Sequence, residues 1–170
     1  MRLAALSSVL LCASLVAGCS KDRVTSPTDN PPAAGNFQLT RAGGNSLPLL
    51  DSADSVDLHD RVEYREIYLE QGSLSLSSDS PPKFETVLHY AQYAVTFDVT
   101  EQRHFELRAV LDIRDHGVVH RNADGTLELE SEVMPSVVHK ATPANGDYTV
   151  QYDWGTVAPP LTLLFRSIPN

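Results

Sequence analysis

Over residues 103–114 the chain alternates apolar and polar side chains almost without a break. Phe105, Leu107, Ala109, Leu111 and Ile113 fall on one side. His104, Glu106, Arg108, Asp112 and Arg114 fall on the other, and Val110 is the one apolar residue out of place. A period of two is that of an extended strand, whose successive side chains point to opposite faces, whereas a helix repeats at about 3.6. The pattern predicts a sheet with one face on a core and one in water, as antiparallel sheets allow. The 105-107-109-111-113 face is then expected to be buried and the 104-106-108-112 face exposed. Asp115-His116-Gly117 is expected to end the strand.

The same signature recurs along the chain. Phe37-Gln38-Leu39-Thr40-Arg41 alternates and predicts a first strand. Leu74 and Leu76 alternate with Ser73, Ser75 and Ser77, and Gly72 is placed to mark a bulge in a longer strand. Residues 84–99 form a long β-prone run containing Tyr90, Tyr93 and Phe97. Leu127, Leu129 and Val133 are expected inward, against Glu128, Glu130 and Glu132. Tyr148, Val150, Tyr152 and Trp154 share a phase, and Leu161, Leu163 and Phe165 close the series. Asp124-Gly125 and Asn145-Gly146 are hairpin turn signals. Eight to ten strands with short turns and no helical period give an all-β domain, either an antiparallel barrel or a β-sandwich. A barrel leaves no open edge.

The amino-terminal residues carry a different message. Arg2 precedes an apolar run over residues 3–16, and the small residues Ala17 and Gly18 lead to Cys19. This is the layout of a secretory signal peptide, and the run is short for a membrane span, which takes about 20 residues. Val16-Ala17-Gly18-Cys19 resembles the lipobox of bacterial lipoproteins. The resemblance implies cleavage before Cys19, acylation of its thiol, and attachment to membrane lipid. Cys12 lies inside the apolar run behind Leu10-Leu11, which does not fit that pattern. Residues 20–36, rich in Ser, Thr, Asn and Pro, read as a flexible tether. The expected divisions are residues 1–18 as signal peptide, 19–36 as lipidated cysteine and tether, and 37–168 as the β domain. Ser20 after the cysteine fits delivery to the periplasmic face of an outer membrane or to the cell surface.

Charge narrows the partners. The chain holds 13 Lys+Arg against 22 Asp+Glu, a net charge of −9. Loss of Arg2 on processing makes it one unit more negative. Such a balance argues against nucleic acid, whose binding draws on a basic patch. The mature chain would keep Cys19 alone, already acylated, so neither a disulfide nor a catalytic thiol is expected. The chain is expected to be a monomer.

Gly35-Asn36-Phe37-Gln38-Leu39, Asn45-Ser46-Leu47-Pro48, Gly72-Ser73-Leu74-Ser75-Leu76, Gly146-Asp147-Tyr148-Thr149-Val150 and Leu161-Thr162-Leu163-Leu164-Phe165-Arg166 follow one another in an order that resembles small bacterial lipoproteins with a lipocalin-like β-barrel. The resemblance spans most of residues 35–167 and implies an up-and-down barrel. Where the family pattern has an Asp-Gly turn after the Gly-x-Leu-x-Leu strand, this chain has Asp79-Ser80-Pro81-Pro82. The family transfers no function.

The residues themselves show no nucleophile elbow, phosphate loop or zinc-protease helix. The aspartates over residues 51–60 lack the alternate ligands and bend glycine of a calcium loop and read as a solvated loop or short helical turn. His116 and His120 lie roughly 13 Å apart on a strand, too far to share a metal without a bend. His89 and His104 flank a possible hairpin. No cofactor or metal is expected. Tyr90, Tyr93, Phe97, Phe105, Tyr148, Tyr152 and Trp154 are the candidates for lining the inside of a barrel, which side chains fill or which holds one small ligand. Two functions fit. One is a non-enzymatic structural or interaction module of the cell envelope. The other is a lipocalin-type binder of a small hydrophobic molecule, and an open aromatic pocket distinguishes them.

Overall fold

The structure, a computed structural model, describes residues 34–57, 62–98, 100–156 and 159–168. Cys19 and the rest of the signal and tether lie outside the described residues. The strands are β1 (Gly35–Ala42), β2 (Asn45–Ser46), β3 (Leu49–Asp57), β4 (Val62–Leu76), β5 (Lys83–Phe97), β6 (Arg103–Arg121), β7 (Leu127–Ser131), β8 (Val138–Ala144), β9 (Asp147–Tyr152) and β10 (Leu161–Ser167). All belong to one antiparallel sheet in the order β2-β1-β10-β9-β8-β7-β6-β5-β4-β3. From β3 to β10 each strand pairs with the next in sequence, an up-and-down meander. One sheet, not two stacked ones, sets the sandwich aside.

The ring closes where β1 meets both ends of the meander. Its residues 37–42 pair with β10, and Gly35, Asn36, Phe37 and Gln38 pair with Leu76, Ser75, Leu74 and Ser73 of β4. Hydrogen bonds therefore run through eight strands and return, a barrel-like arrangement. Asn145 and Gly146 both have positive φ, 54° and 84°, and join β8 to β9 through the mirror-image turn that suits the strand twist. Gly43 and Gly44 do the same between β1 and β2. The ring is filled by Leu39, Leu69, Leu74, Leu88, Leu127, Leu129, Val150, Leu163 and Phe165. Close-packed aliphatic side chains leave its centre solid.

The strands are unequal, and this shapes everything else. β7 has 5 residues and β6 has 19. Only Gly117–Arg121 of β6 pairs with β7, and about the first half of β6 runs past the ring. The first half of β4, the second half of β5 and the first half of β6 project beyond the ring, with β3 along their outer edge. The result is a four-stranded extension in the order β3-β4-β5-β6. Its inner face continues the surface that lines the ring, and its outer face looks away.

This extension corrects the reading of residues 103–114. Gln92 pairs with Ala109 but its neighbour Tyr93 pairs with Leu107, so Arg108 is an extra residue, a β-bulge. The bulge reverses the alternation. Ala109, Leu111 and Ile113 stay on the inner face, whereas Leu107 and Phe105 turn to the outer face. Of the five, only Ile113 packs against the core, half-buried, while Phe105 is 50% exposed, Leu107 54% and Leu111 59%. Two short apolar runs on opposite faces had looked like one.

Other expectations shift for similar reasons. The strand does not end at Gly117. There β6 enters the ring, and a Cβ would overlap the carbonyl oxygen of Glu130 on β7. Gly72 is not the bulge, which falls at Glu70. It marks a close approach instead, with Leu88 and Leu39 against the space a Cβ would take. Residues 51–57 form most of β3, an exposed strand and not a loop or helical turn. Val133 lies past the end of β7 and is exposed. Ser131 takes the inward place beyond Leu129.

Candidate functional site: a pocket at the ring mouth

Where the extension leaves the ring, its inner face forms one wall of an open pocket of about 640 Å³. Alternation brings the lining together. Tyr90 pairs with Leu111 and Gln92 with Ala109, and Ile67 of β4 pairs with Gln92, so these side chains share a face. Ile113 continues β6 toward the core. Asp51 enters at a β3 bulge between Leu50 and Ser52. Trp154 and Thr156, from the connection between β9 and β10, supply the opposite wall.

Trp154 is held from behind by a buried polar chain. Its ring meets Tyr152 edge-on at 4.7 Å, and Tyr152 stacks on His139 at 4.1 Å with the planes 10° apart. His139 accepts a hydrogen bond at Nδ1 from the Asp153 amide (3.0 Å), which leaves Nε2 to donate to Asp115 Oδ2 (2.6 Å). Ser131 Oγ donates to Asp115 Oδ1 at 2.6 Å. Asp115 and His139 expose no surface. The set thus ties β6, β7 and β8 to the residues that end β9.

The electrostatics follow from burial. For Asp115, burial pushes the pKa up, but hydrogen bonds from His139 and Ser131 outweigh it and hold the carboxyl below the usual carboxylate range. Tyr152 is pushed well above the usual phenol value, first by burial and then by the Asp115 charge. Its hydroxyl has no hydrogen-bond partner among the described residues. Tyr90 is likewise raised, by burial and then by the charge of Asp51.

A serine, a histidine and an aspartate in contact invite comparison with a hydrolase triad, but the order is wrong. Nucleophilic catalysis needs the hydroxyl on the imidazole and the imidazole on the carboxylate. Here the carboxylate sits in the middle, Ser131 bonds the carboxylate and not the ring, and both imidazole nitrogens are engaged. The arrangement fixes strands and orients Trp154. In the pocket, Asp51, Gln92, Thr156, the Tyr90 hydroxyl and the Trp154 indole N–H are the polar groups among the described residues.

The seven aromatic candidates divide three ways. Tyr90 and Trp154 line the pocket. Tyr148 and Tyr152 are buried in the core, Tyr148 edge-on to Phe37 at 4.9 Å. Tyr93, Phe97 and Phe105 do not line the pocket. They lie on the outer face, where Tyr93 and Phe105 cluster with Tyr68 and Phe97 meets Tyr64. The described histidines do not converge either. His89 pairs with Asp112, His104 with Asp98, His116 with Glu132 and His120 with Glu130. No cluster suited to a metal ion occurs among the described residues.

The sequence reading missed Asp51, Ile67, Gln92, Ala109, Leu111, Ile113 and Thr156 as lining, and the Asp115–His139–Ser131 set altogether. A signal for the latter existed. Asp115 is in phase with Leu111 and Ile113, Ser131 with Leu127 and Leu129, and His139 with Ala141. Each is a polar residue in an inward place on a strand. Comparison of the chain with protein-family models, curated proteins and solved structures gave no match.

Proposed function

We propose that this chain is a lipid-anchored, non-enzymatic protein of the cell envelope that holds a small apolar molecule at the mouth of its ring. The observation that carries the proposal is the open pocket of about 640 Å³, walled by Ile67, Tyr90, Leu111, Ile113 and Trp154. That volume lies within the roughly 300–1,000 Å³ of small-molecule sites, which are apolar with a few placed polar groups. A purely structural module has no need to leave such a surface uncovered, since exposed apolar area costs about 25 cal/mol for each Å² kept in water. Asp51 is the one charged residue among the described residues of the lining. A ligand with an amine or neutral polar end suits it, and a carboxylate end meets like charge.

Trp154 is the chain's single tryptophan, so its fluorescence reports the pocket directly. Titration with the neutral dye Nile red is expected to show one saturable site and a change in Trp154 emission. Leu111→Arg, at an exposed wall position, is expected to remove that binding while leaving the far-ultraviolet circular dichroism spectrum intact. Dodecylamine is expected to displace the dye at lower concentration than dodecanoate, and Asp51→Asn to narrow the difference. Dye binding that never saturates, or that survives Leu111→Arg, defeats the proposal.

A further inference from the structure

An antiparallel ring was expected to leave no free edge and a monomer, yet residues 103–112 of β6 pair on one side only. β5 lies along one edge. Pairing with β7 begins at Gly117, and no described strand lies along the other edge before it. The open edge is roughly 30 Å long at 3.3 Å per residue. It carries Phe105, Leu107, Val110 and Leu111, all at least half exposed. An unpaired edge is a template for another strand, and the charges along this one, Arg103, Glu106, Arg108 and Asp112, select which strand fits it.

We infer that this edge pairs with the same edge of a second copy, antiparallel, about a two-fold axis at Leu107. The residues specify that register. With Leu107 facing its own copy, Glu106 faces Arg108 of the second copy and Arg108 faces its Glu106. Both are inner-face residues, and within one chain Arg108 already bonds Glu106 at 2.8 Å on that face. The bulge then drops Ala109 from the pairing. Beyond it Phe105 faces Val110, both on the outer face, and Arg103 faces Asp112, again both outer. His104 faces Leu111 on the inner face, which sets the second copy's imidazole beside the pocket wall. Every pair matches in face, and the charged pairs are opposite in sign. The bulge that ordinarily spoils an edge is here met by its own copy. Cross-strand pairs of this kind are what stabilises a sheet, and a self-complementary patch is what a two-fold dimer needs. Two four-stranded extensions would become one eight-stranded sheet. The inference does not depend on the pocket holding a ligand.

The test uses the full chain in its membranes. Leu107→Cys places a thiol opposite itself on the axis, within the Cα separation a disulfide spans. Copper-phenanthroline oxidation is expected to give a reducible band of twice the chain mass, at least several-fold stronger than for Lys140→Cys, an exposed control on β8. Adding Glu106→Arg to Leu107→Cys is expected to cut that band several-fold, because each new arginine meets Arg108 of the other copy. Adding Arg108→Glu as well is expected to restore it. The unaltered chain, extracted in mild detergent, is expected to sediment with the mass of two chains. A one-chain mass, a Leu107→Cys band no stronger than the control, or a band indifferent to Glu106→Arg would each overturn the inference.

Discussion

Asp115 keeps its charge where it exposes no surface, and it does so because two donors, His139 and Ser131, are aimed at its two oxygens. Its folded-state pKa lies below the ordinary 3.8. A carboxyl depressed on folding contributes stability that is present in full above its unfolded pKa and fades as pH falls through the folded one. Asp115→Asn is therefore expected to cost about 1.5–3 kcal/mol near neutrality, the usual range for hydrogen bonds to a charged group. The gap between variant and wild type should narrow as pH drops below about 4, because the wild type loses its ionised form there. Urea melts of both proteins across that range measure it, and a constant gap contradicts the assignment. Trp154 emission is expected to shift in the same variant, since its support through Tyr152 and His139 begins at this carboxylate.

At the scale of the strand, one inserted residue decides which side chains matter. Leu88 lies wholly within the ring, and Leu88→Ala is expected to cost about 2–5 kcal/mol through lost transfer energy and a cavity. Leu107→Ala, past the bulge and exposed, is expected to cost no more than about 0.5 kcal/mol in melts at submicromolar chain concentration, where association contributes least. Gly117→Ala is expected to cost about 1–3 kcal/mol or more, because its Cβ meets strand backbone, which yields less than a side chain. Period two identified the strands, their phases and most turns. It could not reveal the bulges at Arg108 and Glu70, because an extra residue leaves the apolar pattern locally plausible while exchanging the faces. It also could not say how far β4, β5 and β6 outrun their neighbours, since burial depends on what lies beside a strand. Tyr90 and Trp154 were legible as pocket residues because Tyr90 keeps the inward phase of β5 and Trp154 continues the inward phase of β9 just past its end. Phe105 was not, because it lies past the Arg108 bulge on the reversed phase of β6, and Phe97 lies on the outward phase of β5, beyond the ring.

At the scale of the molecule, the described residues comprise a solid ring, an extension, and a pocket between them. Anchoring would add a second constraint. One acyl chain binds a bilayer only marginally, and further chains make attachment stable, at about 0.8 kcal/mol per buried methylene. Cys19→Ser is expected to abolish fatty-acid labelling and release the chain from membranes, while Cys12→Ser keeps both. Labelling that persists in Cys19→Ser contradicts the proposed anchor. The seam of the ring has a further consequence, in time and not in space. Phe37 pairs with Ser167, and Leu39 with Phe165. The seam between the first ring strand to be made and the last spans a loop whose closure entropy must be met before the contacts between those two strands form. Local hairpins such as β8–β9 are free to form early, but the ring stays open until β10 has arrived. A chain bound for export across a membrane would thus travel unclosed and complete its fold only on the far side.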